Sequence, residues 1–189
     1  MTAARRLLTV ADLAPSARSV ELLGGELMDK AAPTGEHGGA QGALAGLLWP
    51  PFSRRPGGTD GPGGWWILTE VHVAFGTHDV LCPDLVGWRR ETCPERPGGF
   101  PVQTRPDWIC EVLSPSTARR DLGEKRILLQ RAGVPWFWTV NLELELVQVY
   151  RWSPEGYLLS TSAGGKDRVA LPPFEAVALE LGRLFGHDD

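Results

Sequence analysis

The side chains of this sequence best suited to chemistry are two carboxylates and one ammonium group, those of Asp84, Glu111 and Lys125. Asp84 opens the apolar stretch "DLVGW", and Glu111 stands inside "WICEVL", whose other members predict a buried strand. A carboxylate in such a strand is costly unless a cation neutralises it. Glu111 is therefore either paired with a positive group or retained because its charge is used.

A metal ion would explain both acids. Two carboxylates directed at one point repel each other unless a cation lies between them. Oxygen ligands suit Mg²⁺ or Mn²⁺, and such a metal activates water and stabilises charge on a phosphate. An ammonium group nearby, that of Lys125, would orient the water or help to neutralise the transition state. The three residues together predict a site that cleaves phosphodiesters.

The alternative reading of Lys125 is structural. Its ammonium group would simply neutralise Glu111, or it would form an i, i+4 pair with Asp121 on a helix surface. Exposed pairs of that kind contribute little to stability. The position of Lys125 relative to Glu111 is therefore the main structural test.

A sheet must position the two acids. The stretch "WWILTEVHVAF" alternates and predicts one strand, "GTHD" predicts a turn, and "VLCPDLVGWRR" predicts the returning strand that carries Asp84. The residues expected on one face of the first strand are Ile67, Thr69, Val71, Val73 and Phe75. After the loop "CPERPGGFPVQTRP" comes the strand of Glu111, which the loop allows to lie beside the Asp84 strand.

A helix after the Glu111 strand must position the lysine. We expect it over roughly residues 118–132, with Ser116 or Thr117 as its cap and Gly133 beyond its end. Two further strands are predicted over "PWFWTVN" and "LELVQVYRW". The segments "YLLSTS" and "RVAL" predict a smaller hairpin, and "VALEL" predicts another strand.

The N-terminal third predicts a short helix, a hairpin and a longer helix. Thr9 would cap "VADLA", "SVELLGGELMD" would turn at Gly24-Gly25, and Thr34 would cap "GEHGGAQGALAGLLW". The expected apolar face of the longer helix consists of Ala40, Ala43, Leu44, Leu47 and Leu48. Its glycines lower helix propensity, so it should depend on tertiary packing, and they would permit close backbone approach. The Pro- and Gly-rich residues 50–64 predict a mobile loop.

Three more residues would support the site. Glu70 would come near Asp84 if its strand pairs across "GTHD", although a shift of one residue would turn it to the other face. Glu26 and His37 lie where the hairpin and the helix would flank the site. A solvated or core role competes with a ligand role for each of the two.

Two arginines and one further acid remain to be placed. Arg89 and Arg90 follow the Asp84 strand and are candidates to contact a phosphate backbone. Asp107 forms a second "PD" pair, but in an extended strand it would lie ~13 Å from Glu111, at ~3.3 Å per residue. We therefore assign Asp107 to the entrance of the strand rather than to the metal.

Composition narrows the class of protein. A chain of 189 residues predicts a single domain spanning 1–189 with a substantial core, and a net charge of −4 argues against a strongly basic nucleic-acid coat. No apolar stretch has the length of a membrane span, and the N-terminus shows no secretion signal. Three cysteines without zinc-like spacing predict reduced thiols in a cytoplasmic protein.

The sequence resembles the Uma2 family of the PD-(D/E)XK nuclease-like superfamily over roughly residues 24–150. The stretches that carry the resemblance are "PDLVGWRRE", "PDWICEVLSPSTARRDLGEK" and "AGVPWFWTVN". The resemblance implies an α+β fold with a restriction-endonuclease-like (α/β-type) core, a mixed central sheet flanked by helices. It also implies Asp84 and Glu111 as metal ligands, the backbone carbonyl of Val112 as a further ligand, and Lys125 as the catalytic lysine. The superfamily pattern places its lysine two residues after the second acid, where this sequence has Leu113.

The function implied is a Mg²⁺- or Mn²⁺-dependent endonuclease acting on nucleic acid, with DNA as the expected substrate. A homodimer is also expected, because nucleases of this fold often cut two strands with two subunits. One alternative is a non-catalytic domain that binds nucleic acid or protein on the same fold. A metal-dependent phosphoesterase for a smaller substrate is a further alternative.

Overall fold

The computed structural model describes residues 6–15, 20–59, 61–114 and 118–187 of the chain. In chain order its main elements are β1 (Val20–Leu23), β2 (Glu26–Asp29), α1 (Gly35–Phe52), β3 (Trp65–Thr69), β4 (Val73–Ala74), β5 (Val80–Leu81), β6 (Leu85–Arg89), β7 (Trp108–Leu113), α2 (Ala118–Arg120), α3 (Arg126–Arg131), β8 (Trp136–Asn141), β9 (Leu146–Ser153), β10 (Gly156–Gly164), β11 (Arg168–Ala170) and β12 (Ala178–Glu180). A π-helical segment, Asp121–Lys125, joins α2 to α3, and 3₁₀ turns cover Val10–Asp12 and Leu181–Phe185.

A mixed six-stranded sheet forms the centre, in the order β10-β9-β8-β7-β6-β3. β7 and β8 run parallel, as the helical crossover between them requires, and the other neighbours are antiparallel. β7, which carries Glu111, is buried along its whole length and lies between β6 and β8. The α+β fold class with a mixed central sheet, predicted from the sequence, is confirmed.

Helix α1 covers one face of this sheet. Thr34 caps it by accepting a hydrogen bond from the His37 amide at 3.3 Å. Its buried residues are Ala40, Leu44, Leu48 and Phe52, while the expected Ala43 and Leu47 are half-buried. The predicted cap and apolar face are confirmed in outline. The helix glycines have open space around them, so the expectation that they permit close backbone approach is wrong.

The predicted loop begins later than expected. Residues 50–52 are helical and belong to the last turn of α1, because Phe52 is buried against the ring of Phe174. The following segment folds back on the helix end, where the Gly63 and Gly64 amides donate to the carbonyls of Pro51 and Arg54. Mobility of the rest of this loop stays a prediction.

The expected single strand over residues 65–75 is divided. Glu70 adopts a left-handed backbone conformation with φ of 54°, which ends β3 and turns the chain away from the central sheet. β4 then pairs with β5 in a second sheet of order β2-β1-β5-β4. The expectation that Ile67 to Phe75 form one continuous strand face is therefore wrong. Asp84, just before β6, lies at the junction of the two sheets.

The C-terminal pairing also differs from expectation. β10 pairs with β9, and β11 pairs with β12, so "YLLSTS" and "RVAL" do not form a hairpin with each other. The predicted end of the Lys125 helix is confirmed, since Gly133 follows it with φ of 70°. The expected caps, Ser116 and Thr117, lie outside the described residues.

Two predictions from composition can be compared with the structure. Cys82, Cys93 and Cys110 are all free of disulfides. Among the helices described, none combines the length and the apolar character needed to cross a membrane.

Candidate active site

The two acids singled out in the sequence lie side by side at the junction of the sheets. β6 and β7 pair with Leu85 opposite Cys110, which puts Asp84 next to Glu111 on the neighbouring strand. Asp84 is 1% exposed and Glu111 is 2% exposed. The Val112 amide donates to Asp84 Oδ2 at 2.7 Å, which fixes the Asp84 carboxylate against β7. The predicted juxtaposition is confirmed.

Lys125 reaches Glu111 from the π-helical segment. Its Nζ lies 3.1 Å from Glu111 Oε1, 3.0 Å from Asp121 Oδ1 and 3.0 Å from Glu21 Oε1. Because Lys125 and Asp121 are only 3% and 2% exposed, their i, i+4 contact is a buried ion pair, and the surface-pair interpretation is wrong. The widened helical turn is of a kind often found at functional sites.

A second ammonium group, that of Lys30, contacts Asp84. Lys30 Nζ lies 2.9 Å from Asp84 Oδ1 and 2.9 Å from Glu70 Oε2, and it donates to the Cys82 carbonyl at 2.8 Å. Each lysine therefore contacts a different set of carboxylates. Lys30 lies between Asp84 and Glu70, and Lys125 contacts Glu21, Glu111 and Asp121.

His37 and Glu70 complete the surroundings of Asp84. His37 Nε2 lies 3.2 Å from Asp84 Oδ1. Gln41 donates to both Glu70 Oε1 at 3.1 Å and the Asp84 carbonyl at 3.0 Å, so one side chain from α1 holds the two acidic residues in place. The left-handed backbone at Glu70 is what turns its carboxylate toward Lys30 instead of along a strand face. The expected positions of His37 and Glu70 beside Asp84 are confirmed; a ligand role for either stays a prediction.

The electrostatics of Glu111 favour its neutral form. Burial raises the pKa of Glu111 well above its ordinary value; the Lys125 charge acts in the opposite direction, and nearby Asp84 adds to the rise. Burial works against the charge of Lys125 too, but Glu111, Glu21 and Asp121 overcome it and raise the Lys125 pKa well above its ordinary value. Lys125 is therefore charged at neutral pH.

Asp84 shows the opposite behaviour to Glu111. Burial disfavours its charged form, but the contact from His37 and the charge of Lys30 hold the Asp84 pKa below its ordinary value. Burial also works against the charge of Lys30, but the charges of Asp84 and Glu111 outweigh it and raise the Lys30 pKa. Two neighbouring carboxyl groups with pKa values moved in opposite directions are typical of acid–base and metal sites.

These side chains border a cavity of about 190 Å³. Among its lining residues are Glu21, Lys30, His37, Asp84, Glu111, Val112, Arg120, Asp121 and Lys125. A larger cavity of about 1000 Å³ lies near the N-terminal 3₁₀ turn, and Arg105 is the one charged side chain among its lining residues that the structure describes. The smaller cavity is therefore the one with the chemical groups of a catalytic site.

Three residues considered in the sequence lie elsewhere. Glu26 pairs with Leu23 beside the hairpin turn, and it does not line this cavity. Arg89 and Arg90 lie at the opposite end of β6 from Asp84, so they cannot hold a phosphate at the candidate active site. Asp107 is confirmed as a strand-entrance residue, because its Oδ2 accepts hydrogen bonds from the Arg89 amide at 2.8 Å and the Thr92 hydroxyl at 3.2 Å.

The oxygen donors at this site are of the chemical type that a hard divalent cation prefers. Asp84 Oδ1 is buried and lies near Lys30 and His37 without accepting a hydrogen bond of good geometry from either. The Val112 amide points to the β6 side of β7, and the N–H and C=O of one strand residue share a side, so the Val112 carbonyl points to that side as well. Over the described residues, however, no three His, Cys, Asp or Glu side chains converge closely enough to hold a metal. The lysine ammonium groups stand between the acids instead.

Sequence reasoning missed Glu21 and Lys30. Glu21 is fully buried in β1, where its Oε1 accepts a hydrogen bond from the Cys82 amide at 2.9 Å. The signal was present: "VELL" encloses an acid between apolar strand residues, just as "WICEVL" encloses Glu111. Lys30 follows β2, and a lysine after a strand carries no comparable signal.

Comparisons with known proteins place this geometry in context. The family model Uma2, described as "Putative restriction endonuclease", matches residues 7–182. The crystal structure of a "putative nuclease belonging to DUF820" from Anabaena variabilis ATCC 29413, at 1.96 Å resolution, superposes with a TM-score of 0.69 at 20% sequence identity. The match covers 95% of this chain and 98% of that one, so the two share a fold. A search of curated proteins found no match.

Proposed function

The chain belongs to the Uma2 family, and we propose on that premise that it is a divalent-metal-dependent endonuclease that hydrolyses phosphodiester bonds in DNA. The observation that carries the proposal is the buried charge around the 190 Å³ cavity. Among the described residues, the carboxyl groups of Glu21, Asp84, Glu111 and Asp121 lie around it with the cationic groups of Lys30, Lys125 and Arg120, and burial raises the pKa of Glu111 well above its ordinary value. A divalent cation would take the place of the Glu111 proton and stabilise both Asp84 and Glu111 as carboxylates.

Asp84 and Glu111 would hold Mg²⁺ or Mn²⁺, with the Val112 carbonyl as a third oxygen ligand. When bound, the metal would supply an activated water and stabilise charge on the scissile phosphate. The protein contributes rigidity: Asp84 is fixed by the Val112 amide, and Glu111 lies in a strand buried on both faces. Ligands on strands keep their geometry better than ligands on loops.

Lys125 would act next to these ligands. Its ammonium group already lies within 3.1 Å of Glu111, and it stays charged at neutral pH. A fixed positive charge at this place would orient the attacking water and stabilise charge that develops on the phosphate. Asp121 and Glu21 hold the ammonium in position, since each contacts Nζ at 3.0 Å. We assign them the role of positioning residues.

One observation favours the second candidate, a non-catalytic domain that binds nucleic acid. Lys30 and Lys125 already lie among the carboxylates, which leaves no convergent set of three acidic or histidine ligands among the described side chains. A domain that had lost catalysis would keep such internal ion pairs for stability alone. The two candidates differ in whether a metal changes the reactivity of the protein.

Nicking of supercoiled plasmid distinguishes the candidates, because a single cut relaxes the substrate. We expect the wild type to relax plasmid with Mn²⁺ or Mg²⁺ and not with EDTA. Glu111→Gln should lose more than ~100-fold in rate, beyond the loss typical of residues that only support a metal ligand. Glu175→Gln is the matched control, because Glu175 is exposed and the change of charge is the same. Equal rates for Glu111→Gln and the wild type would disprove the assignment.

A further inference from the structure

A second charged cavity lies at the far end of β6 from the candidate active site. Its volume is about 670 Å³, and it is bounded by the ends of β3 and β6 and by the loops beside them. Among the described residues that line it, the charged ones are Arg55, Arg89, Arg90, Arg96, Glu91 and Glu95. These described side chains comprise four guanidinium groups and two carboxylates, a local excess of positive charge in a chain whose net charge is −4.

Two of the arginines are held in place by tryptophan rings. The Arg90 guanidinium lies 3.5 Å from the centroid of Trp66, and its Nε donates to the Trp65 carbonyl at 3.0 Å. The Arg89 guanidinium lies 4.6 Å from the centroid of Trp65. A guanidinium stacked on a ring keeps its in-plane N–H groups free for bidentate hydrogen bonds to an oxyanion. The stacking therefore orders these donors without neutralising them.

The positive charges are also not paired within the part of the chain that the structure describes. None of the ion pairs there includes Arg55, Arg89, Arg90 or Arg96. Burial and the nearby charge of Arg55 lower the pKa of Arg90, as expected for guanidinium groups that lie close together. An anion bound between them would relieve this repulsion.

We propose that this cavity, which we call the arginine–tryptophan cavity, binds the phosphate groups of a nucleic acid and holds its backbone at a distance from the cleavage site. The choice of occupant rests on the proposed function. The cavity is separate from that site: residues 85–89 of β6 span ~13 Å at ~3.3 Å per residue. Binding there needs no metal, so it can be measured apart from catalysis.

The test measures the affinity of the full-length protein for a short fluorescein-labelled DNA duplex, by anisotropy in EDTA over a range of salt concentrations. The variant is Arg55→Gln/Arg96→Gln, because both side chains are exposed and neither anchors a tryptophan ring. The control is Arg151→Gln/Arg168→Gln, which removes the same charge from exposed positions outside the cavity.

We expect the cavity variant to bind more weakly and the slope of log affinity against log salt to fall in magnitude by ~1.8, at ~0.9 for each phosphate that the variant no longer neutralises. The control should change the slope much less. Equal effects of the two variants, or no binding by the wild type at low salt, would overturn the proposal. Because the assay contains no metal, a wild type that does not nick plasmid can still bind DNA through this cavity, and the two proposals can fail separately.

Discussion

Lys125 is the residue on which the buried charge of this site depends. Its ammonium group contacts three carboxylates within 3.1 Å, and no other cation among the described residues contacts Glu21 or Asp121. We expect Lys125→Met to lower the free energy of unfolding by ~3–5 kcal/mol, because it removes the cation that three buried acids share. Urea denaturation measures this. Lys166→Met at an exposed position is the control and should change stability little.

Replacing Glu111 by Gln should raise the free energy of unfolding at higher pH, although it removes a proposed metal ligand. Burial raises its pKa well above the ordinary value, so the folded state binds its proton more tightly than the unfolded state does. A group of this kind loses its contribution to stability as pH rises through the folded pKa. Glu111→Gln removes that loss, so the variant should gain on the wild type by more than ~1 kcal/mol between about pH 5 and pH 8. Denaturation curves at both pH values test this, and a gain at the lower pH alone would contradict it.

Lys30 should compete with a metal for Asp84. Its Nζ lies 2.9 Å from Asp84 Oδ1, the buried oxygen that accepts no well-formed hydrogen bond. Lys30→Met should therefore bind Mn²⁺ more tightly than the wild type, because no ammonium has to move aside. Calorimetric titration gives the affinities, with Lys166→Met as control. A weaker affinity in Lys30→Met would mean that the lysine supports the site instead.

At the scale of elements, the packing of β6 around Gly87 leaves too little space for a larger side chain. A Cβ at Gly87 would lie 3.1 Å from a ring carbon of Trp108 and 3.2 Å from one of Trp65, and both rings are buried. We expect Gly87→Ala to destabilise the protein by ~1–3 kcal/mol through overpacking. Gly42→Ala is the matched control: it lies in α1 with nothing within 4 Å, so it should stabilise by up to ~1 kcal/mol. The midpoint temperatures of thermal unfolding of the two variants test this prediction. Equal changes in midpoint for Gly87→Ala and Gly42→Ala would refute the packing argument.

Local patterns were enough to predict most elements but not the way they join. Helix caps, apolar faces and hairpin turns act over a few residues, which is why Thr34, Gly24-Gly25 and the Glu111 strand were predicted correctly. The break at Glu70 was not predicted, since alternation continues through it and side-chain period carries no sign of a positive φ. β10 pairs with β9 across residues 154 and 155, a local hairpin that was missed because "YLLSTS" was expected to pair with "RVAL" instead.

The candidate site was predicted to a similar extent. Asp84, Glu111 and Lys125 were named and do come together, because an acid in an apolar strand is a strong signal. Glu21 carried the same signal in a shorter strand, and the sequence interpretation chose Glu26 of the same hairpin instead. Lys30 enters the site only because the hairpin β1–β2 folds against the junction of two sheets, a feature of tertiary structure.

At the scale of the whole molecule, charge is separated along one strand. The carboxylate-rich cavity lies at the start of β6, and the arginine–tryptophan cavity lies at its end. The net charge of −4 gives no indication that acidic and basic side chains are separated in this way. The acidic end suits a metal, and the basic end suits a phosphate backbone. The homodimer expected from the family resemblance stays a prediction.

The most direct test of the metal site is a calorimetric titration of Mn²⁺ into the wild type and into Glu111→Gln. We predict saturable binding at one site in the wild type and its loss in Glu111→Gln, with the fold of the variant checked by circular dichroism. Equal binding by the two proteins would place the metal elsewhere. No binding by either would contradict the metal site and leave Glu111 as a buried acid paired with Lys125.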